Sequence, residues 1–307
     1  MKSACFKILL FLLPLPILTG CSAIQVRDRT YVQALELHHA ASPQVSLHDF
    51  SHETEIASGN GNTIDEALTN AGIATGKELF LGHLELLTYA NPAFTVQLDD
   101  LMHDYRLSPS CQVVGLSENA SFSDTDTTAF TNQLRQEMQQ GKLPETNLFT
   151  ILREMDGSAE TAFFPIWTEE GFSGAVGTVT SWTTLSADAS AGLCWLRGDN
   201  FPEKIAENQD TVFSVQSART QFSVQMQDEI PLVTIKIRIT GQGDFTSAAA
   251  VIEGQCESAL EETLRASGAD VIDLEEILWS QCYSYMAQTD WRTAAKSVQF
   301  CFQIKQK

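Results

Sequence analysis

One stretch near the C-terminus leaves the chain almost no choice of local structure. Residues 233–240 read VTIKIRIT, so β-branched apolar side chains alternate strictly with polar or cationic ones. Successive side chains of a β-strand point to opposite faces, whereas a helix would scatter the same residues around its axis. The pattern therefore predicts a half-buried strand with an apolar face turned inward and a cationic face turned outward.

The segments around this strand predict the rest of a C-terminal domain. Apolar residues at 212–215 and 222–226 predict two preceding strands and hence a meander. Spacings of three and four between apolar positions from 252 to 264 predict a long helix, and a further helix is predicted at 274–287. Alternation at 298–304 predicts a last strand in the same sheet. We expect an α+β domain: an antiparallel sheet with helices packed on it.

The preceding part of the chain also mixes strands and helices. A first strand is predicted in TYVQALELHH, followed by a helix that begins at Thr63, has capping-box spacing to Glu66 and ends at Gly76. Residues 79–88 are apolar on both faces, which predicts a strand covered on both sides with His83 in it.

Further elements are predicted in order along the chain. We expect a helix in FTVQLDDLMHDYRL, a strand in CQVVGL, a loop with a solvated helix at 117–145, and a helix in LFTILREM. Strands are expected in FSGAVGTVTSW and in GLCWLRGD, before a polar linker near residues 200–212. This organisation gives an α+β region at 21–205, with room for two subdomains, and a C-terminal α+β domain at 206–307.

The first twenty residues predict a cleaved signal peptide. Lys2 and Lys7 precede a short apolar stretch that is interrupted by prolines and too short to span a bilayer. The stretch ends in LTGC, the arrangement of a bacterial lipoprotein box, which makes Cys21 the predicted lipidation site; an ordinary secretory signal is the alternative. A diacylglyceryl group supplies the two chains that stable membrane anchoring requires.

The charge of the chain excludes some partners. The formal net charge is −20, and loss of residues 1–20 removes two lysines and no acid, which makes it −22. A protein this acidic is expected to repel nucleic acid and anionic lipid, so the anchor would hold it at a membrane without electrostatic help. The cysteines beyond Cys21 are odd in number and have no CxxC spacing; buried free thiols are favoured over disulfides for Cys111, Cys194, Cys256, Cys282 and Cys301.

The sequence lacks the arrangements that catalysis or a metal would need. GFSGAVG has no glycine two residues after Ser173, as a nucleophile elbow would require, and HExxH does not occur. SDTDTT has no glycine at the sixth position of a calcium loop. The adjacent acidic pairs diverge by about 100° on a helix and are poor acid/base couples. Four histidines cluster within fifteen residues without a cysteine partner: His38, His39, His48 and His52. We therefore predict no catalytic residues, no cofactor and no metal.

Six segments in register resemble the Ger(x)C family, the lipoprotein C subunits of nutrient germinant receptors in spore-forming Gram-positive bacteria. They are LTGC, GNTIDEAL with LFLGHLELL, DDLMHDYRLSPSCQVV, GAVGTVTSW with AGLCWLRGD, ALEETLRASGADVIDLEE, and TDWRTAAKSVQFCFQI. The sequence departs from the family pattern at 272–274, where glycines are replaced by IDL, and in SYMAQTD, which has no basic residue.

The resemblance implies a specific role. It implies three α+β domains, an extracytoplasmic position at the spore inner membrane, and multi-spanning A and B receptor subunits as partners. It assigns no catalytic residue. His83, Asp270 and Trp291 fall on its recurrent positions and are candidate structural or partner-contact residues. Taken without the resemblance, the residues leave a stand-alone lipid-anchored binding protein and an envelope hydrolase as alternatives.

Overall fold

The structure, a computed structural model, describes most of the chain after the predicted signal peptide. The described residues are 28–38, 42–49, 55–118, 120, 122, 126–157, 159–198, 200–207 and 210–307. Residues 1–20 and Cys21 lie outside them. The overall α+β class is confirmed, because strands and helices form two sheets with helices packed against both.

The bounds of the elements are as follows. The strands are β1 (Arg29–Leu37), β2 (Gln44–Asp49), β3 (Ala57–Asn60), β4 (Glu78–Phe80), β5 (Leu86–Tyr89), β6 (Gln112–Leu116), β7 (Ala162–Thr168), β8 (Gly171–Gly177), β9 (Trp182–Thr184), β10 (Lys204–Glu207), β11 (Asp210–Gln227), β12 (Ile230–Gly243) and β13 (Gln299–Gln306). The helices are α1 (Ile64–Thr75), α2 (Thr95–Asp104), α3 (Thr127–Gln139), α4 (Leu148–Met155), α5 (Ala187–Arg197), α6 (Phe245–Leu260), α7 (Leu274–Gln281), α8 (Tyr283–Met286) and α9 (Trp291–Ser297).

The first helix begins and ends where the sequence predicts. The Thr63 hydroxyl accepts from the backbone N–H of Glu66 at 3.1 Å, and the Glu66 carboxylate accepts from the N–H of Asn62 at 2.8 Å. Gly76 closes the helix in the left-handed region, at φ 67°. Gly59 of β3 packs so closely against this helix that a Cβ on it would be 2.1 Å from the Ala67 carbonyl oxygen. The two elements therefore pack backbone to backbone.

The first sheet, nine-stranded within the described residues, has a parallel centre. Its order is β3-β2-β1-β5-β6-β7-β8-β9, with β4 paired to the start of β1. The pairs β1–β5, β5–β6 and β6–β7 are parallel, and the strands on either side run antiparallel. Helices therefore cross both faces, as connections between parallel strands require.

Two separate cores cover the two faces of this sheet. Leu86 and Leu87 are neighbours in β5, are both fully buried, and enter different cores. The core on the Leu87 side includes side chains of α1, α2 and α4, and the core on the Leu86 side includes Phe130 and Leu134 of α3. The helix expected to be solvated in 117–145 thus buries one apolar face.

The second sheet has the order β10-β11-β12-β13. Its central pattern is confirmed, since Val233, Ile235, Ile237 and Ile239 are fully buried. The expectation of an antiparallel sheet is wrong for the last strand, which pairs parallel to β12. The chain leaves β12 at its carboxyl end, passes through α6 to α9, and returns to the end of the sheet where β12 began, so β13 runs in the same direction. The two strands expected at 212–215 and 222–226 form one strand, β11, with a bulge.

The interpretation of GLCWLRGD as a strand is wrong, because residues 192–197 of this segment belong to α5. Helix α5 is capped by Ser186 and ends at Gly198 in the left-handed region. Nearly all of its residues from 189 to 196 are buried, so the segment lacks the polar face that reveals a helix in a sequence. Strand β7 was not predicted. The division into 21–205 and 206–307 stays a prediction; α5 packs on α6, across that position.

Candidate functional site

Asp270, one of the residues singled out from the sequence, is buried and caps the start of α7. Its carboxylate oxygens accept from the backbone N–H groups of Leu274 at 2.9 Å and Glu275 at 2.6 Å, and from Ile272 at 3.3 Å. Burial raises the pKa of Asp270, and the three N–H groups oppose that rise. The carboxylate thus holds the loop at 270–273, where Asp273 adopts a positive φ of 56°.

A cleft of about 470 Å³ opens beside this loop. Its wall includes Arg197 of α5 and Glu154 of α4, which form an ion pair with both side chains largely buried, 13% and 14% exposed. Glu154 also accepts from the N–H of Phe163 at 3.1 Å, and Arg197 lies over the Phe163 ring. The cleft is therefore the place where an ion pair joins the end of α4 to the end of α5.

The chemistry available in this cleft is limited. The Thr161 hydroxyl, the group most like a nucleophile in the lining, donates to the Ala159 carbonyl at 2.6 Å. Glu154 is committed to Arg197 and to a backbone N–H, and Asp270 is committed to three backbone N–H groups. These groups stabilise the meeting of the elements that carry them, and none is directed at an open position with a free base.

His83 lies in a turn, so its interpretation as a strand residue is wrong. Strand β4 pairs with β1 up to Tyr31–Phe80, and β5 begins pairing at Ala34–Leu86. Between these two pairs, β1 contains two residues and the partner segment contains five. The extra residues of the partner segment therefore leave the sheet as a turn. His83 is exposed there, with its ring centroid 5.2 Å from that of Phe80 and 6.2 Å from that of Tyr31.

The apolar run around His83 has a structural cause. Leu81 and Leu84, on either side of the exposed histidine, are each 2% exposed and belong to the core of the first sheet. The turn is therefore fixed by two buried leucines while His83 points toward solvent beside a shallow depression that includes Gln112 and Arg135. A turn anchored in this way gives the same apolar sequence pattern as a strand buried on both faces.

Trp291 begins α9 and fixes its position. The indole Nε1 donates to the Gly268 carbonyl at 3.0 Å, at the end of the π-helical turn Glu261–Arg265 that follows α6. The ring is half-buried against the core of the second sheet. Trp291 and Asp270 thus order two successive connections of the same unit, and the structure does not bring either of them next to His83.

The histidine cluster is divided in the structure. His48 is fully buried with its ring edge-on to Phe122, at a centroid distance of 4.9 Å, and burial lowers its pKa. The His38 ring nitrogen lies 2.7 Å from the Ser46 hydroxyl. His39 and His52 lie outside the described residues. Among the residues that are described, no group of three or more His, Cys, Asp or Glu side chains is placed to hold a metal ion.

The five described cysteines form no disulfide with one another. Cys111, Cys194, Cys256 and Cys282 are buried, and burial raises the pKa of the Cys111 thiol to about 12 and that of Cys256 further. A thiol held in its protonated form is a poor nucleophile. Cys301 is exposed on β13. The predicted lipidation site, Cys21, lies outside the described residues.

The Arg197–Glu154 ion pair is the main feature of the cleft that the sequence did not reveal. The two residues are 43 positions apart, and Arg197 falls in the segment misinterpreted as a strand. An i,i+4 spacing or a shared motif would have been a usable signal, and neither is present.

No helix in the described part of the chain combines the length and the apolar character needed to cross a bilayer.

The sequence matches a protein-family model, and the fold is similar to that of a solved structure. A family model described as "Spore germination protein N-terminal domain" matches residues 27–169, just under half of the chain, from the start of β1 to the end of β7. No curated protein matches the sequence. A solved structure titled "Crystal Structure of the GerBC protein" is similar over 89% of this chain and 96% of its own, with a TM-score of 0.56 and 10% sequence identity. At that identity the likeness shows a shared fold.

Proposed function

Because the chain belongs to the Ger(x)C family of spore germination proteins, as the sequence resemblance predicted, we propose that it is a lipid-anchored, non-catalytic subunit of a nutrient germinant receptor. In this role it lies on the extracytoplasmic side of the spore inner membrane and takes part in the initiation of germination. Its partners are the multi-spanning A and B receptor subunits.

The family match carries the proposal, and the shared fold supports it. The N-terminal domain of spore germination proteins is recognised across β1 to β7, and the fold of the GerBC protein extends over nearly the whole chain. One of these observations rests on sequence and the other on coordinates. Together they assign the family to the body of the molecule rather than to one short motif.

The chemistry of the described residues is consistent with a non-catalytic role. The buried carboxyl groups of the cleft bind backbone N–H groups or a guanidinium, and burial raises the pKa values of the Cys111, Cys256 and Cys282 thiols. A subunit that works by contact needs a rigid framework, which these interactions supply. Asp270 and Trp291 are positioned to stabilise that framework, and His83 is exposed enough to meet a partner.

Attachment to the membrane is the first part to test. Replacing Cys21 with Ala removes the thiol that acylation requires, so the protein should move from the membrane fraction of spores to the soluble fraction. Cys301→Ala is the matched control, because it removes the exposed thiol of β13 and leaves Cys21 intact. Continued membrane retention of the Cys21 variant, with the control also retained, would contradict the anchor.

Assembly is the second part. A tagged form of the protein, purified from detergent-solubilised spore inner membranes, should bring down two multi-spanning membrane proteins in fixed proportion. Recovery of the tagged protein alone would instead favour a stand-alone binding lipoprotein. Turnover of peptidoglycan or ester substrates by the purified protein would favour an envelope hydrolase and would contradict the non-catalytic role.

A further inference from the structure

The second sheet is covered by helices on one face only. Helices α5, α6 and α7 contact β11, and α6 also contacts β13, all against the face that carries the buried residues of β12. Residues that alternate with Val233, Ile235, Ile237 and Ile239 point to the other face. That other face is open to solvent in the described residues, since its side chains are exposed or half-buried.

Basic side chains are collected on the open face by the strand register. Arg219 of β11 is paired with Arg238 of β12, and Arg238 is paired in turn with Lys305 of β13. Lys236 precedes Arg238 by two residues and therefore lies on the same face. Arg219, Arg238 and Lys305 are exposed, and Lys236 is half-buried. We call these four residues the basic face.

The strand segments that form the basic face contain no acid that could compensate its charge. Residues 217–227, 230–243 and 299–307 contain no acidic residue, in a chain that has 39 acidic and 19 basic residues. The acids of the hairpin lie at its ends, Asp228 and Glu229 in its turn and Asp210 at the start of β11. The ion pairs found among the described residues lie elsewhere. Within the described part of the chain, the Arg238 guanidinium donates a hydrogen bond to the Gln221 side chain, at 3.4 Å.

Such a cluster costs stability in the free protein. Like charges directly opposite each other on neighbouring strands are destabilising, and the basic face contains two such pairs in one row. An acidic residue in this row would relieve the repulsion, and acidic residues are about twice as numerous as basic ones in the chain. An anionic surface that docks on this row would turn the repulsion into a favourable interaction.

The composition of the face favours one kind of anionic partner. Its other outward positions are Ser, Thr and Gln, apart from Ile230, Leu232 and Cys301. Protein interfaces are enriched in aromatic residues and depleted in Lys and Ser at their centres, and β-sheets that bind RNA stack bases on aromatic side chains. This face has no aromatic residue. A flat, positively charged face can contact a layer of lipid headgroups without inserting side chains into the bilayer, so it suits such a surface.

We propose that the basic face docks the second sheet on a membrane surface that carries anionic phospholipid headgroups. The inference rests on the proposed function in one respect, that the acyl chains on Cys21 bring the protein to a membrane. The net charge, −22 after loss of residues 1–20, makes the chain as a whole repel anionic lipid but does not prevent docking of this face, because exposed charges farther away than the Debye length, about 10 Å at 0.1 M salt, are largely screened.

The test separates the face from the anchor. The chain from residue 21 onward, with Cys21→Ser, keeps every described residue and cannot be acylated. It is mixed at about 0.1 M salt with phosphatidylcholine vesicles that contain phosphatidylglycerol, or with phosphatidylcholine vesicles alone, and sedimented. We expect binding to the anionic vesicles only, with a loss of binding as salt is raised.

Two triple variants with the same change of charge locate the interaction. The face variant, Arg219→Gln/Arg238→Gln/Lys305→Gln, should lower the association constant on the order of a hundredfold, since each basic residue near the surface contributes about fivefold. The control variant, Lys77→Gln/Arg135→Gln/Arg292→Gln, removes three exposed charges from other elements and should bind nearly as the unmodified chain does. Circular dichroism and thermal unfolding verify that both variants are folded.

Three results would overturn the proposal. They are an absence of binding that depends on phosphatidylglycerol, an equal loss in both variants, and binding to soluble polyglutamate in place of vesicles, which would favour an acidic polypeptide as the partner. Failure here leaves the release of the Cys21→Ala variant from spore membranes and the purification of receptor subunits unaffected. Failure of those experiments would likewise leave the vesicle result standing, so the two proposals are tested separately.

Discussion

The two sheets of the molecule differ in how many of their faces are buried. In β5 and β6 of the first sheet, eight of nine residues are buried, and consecutive side chains enter two different cores. In β12 of the second sheet, buried residues alternate with exposed or half-buried ones. The first sheet is therefore an internal framework, whereas the second presents one of its faces to the surroundings.

The difference has a consequence for where the molecule can make contacts. A sheet covered on both faces can reach partners only through its helices, edges and turns, such as the turn that carries His83. A sheet with an open face offers a broad, flat surface whose chemistry is set by every second residue. Replacing an apolar residue with a polar one is thus expected to lower the free energy of unfolding on both faces of β5, but on only one face of β12.

The largest predicted effects test this burial directly. Leu86→Ala and Leu87→Ala should each lower the free energy of unfolding by about 2–5 kcal/mol, because each leaves a cavity in a different core. In β12, Ile237→Ala should cost a similar amount, while its neighbour Arg238→Ala should cost less than about 0.5 kcal/mol, because it leaves no cavity and removes two like-charge pairs. Urea unfolding of the four variants measures these values. A large loss for Arg238→Ala would show that the open face is covered.

The second prediction concerns the helices that cover the buried face of the second sheet. Asp270→Ala leaves the N–H groups of Leu274 and Glu275 without their acceptor inside the fold, and should cost about 1–3 kcal/mol of unfolding free energy. Asp290→Ala is the matched control, since Asp290 caps α9 from an exposed position. We expect the control to lose less. Equal losses would mean that burial of Asp270 adds nothing to its role as a cap.

How far the sequence predicted the fold depends on the periodicity of each segment. The alternation in β12 and the capping residues of α1 gave the right elements, because one face of each is apolar and the other polar. Helix α5 was mistaken for a strand because it is buried nearly all round and has no polar face. The direction of β13 was missed for another reason: the residues of a strand carry no mark of parallel or antiparallel pairing.

The candidate site was predictable only in part. Asp270 and Trp291 were singled out by family resemblance, and their contacts, a helix cap and an indole–carbonyl hydrogen bond, could not be read from their spacing. The Arg197–Glu154 pair was missed because the contact depends on how α4 and α5 meet. The basic face was predictable only in part. Lys236 and Arg238 alternate with apolar residues in one strand, whereas Arg219 and Lys305 are brought beside Arg238 by the register of the neighbouring strands.

The third prediction uses the polar group buried in the first sheet. Burial lowers the pKa of His48 below its ordinary value of 6.5, so the folded chain binds a proton at this site less readily than the unfolded chain. The contribution of His48 to stability is present above pH 6.5 and is lost as the pH falls toward its lowered pKa. The unfolding free energy of the native chain should therefore drop more steeply from pH 7 to pH 5 than that of His48→Phe, which keeps a ring against Phe122.

An exposed histidine supplies the control for this measurement. The pKa of His103 is raised by its hydrogen bond to the Asp99 carbonyl, which gives it the opposite sign of pH dependence. His103→Gln should keep the steep acid loss of the native chain, or steepen it slightly. The same slope for the native chain and for His48→Phe would mean that another group causes the loss.

The smallest predicted effect is a gain in stability on the open face of the second sheet. Arg219 and Arg238 stand opposite each other, and removing one of two like charges at such a pair should raise the unfolding free energy by about 0.2–1 kcal/mol in Arg219→Gln. The charge-conserving variant Arg219→Lys should show no such gain. In 1 M salt, where the Debye length is about 3 Å, the advantage of Arg219→Gln should disappear. A gain that persists in high salt would come from strand propensity, and the row of Arg219, Arg238 and Lys305 would then carry no electrostatic cost for a bound anionic surface to relieve.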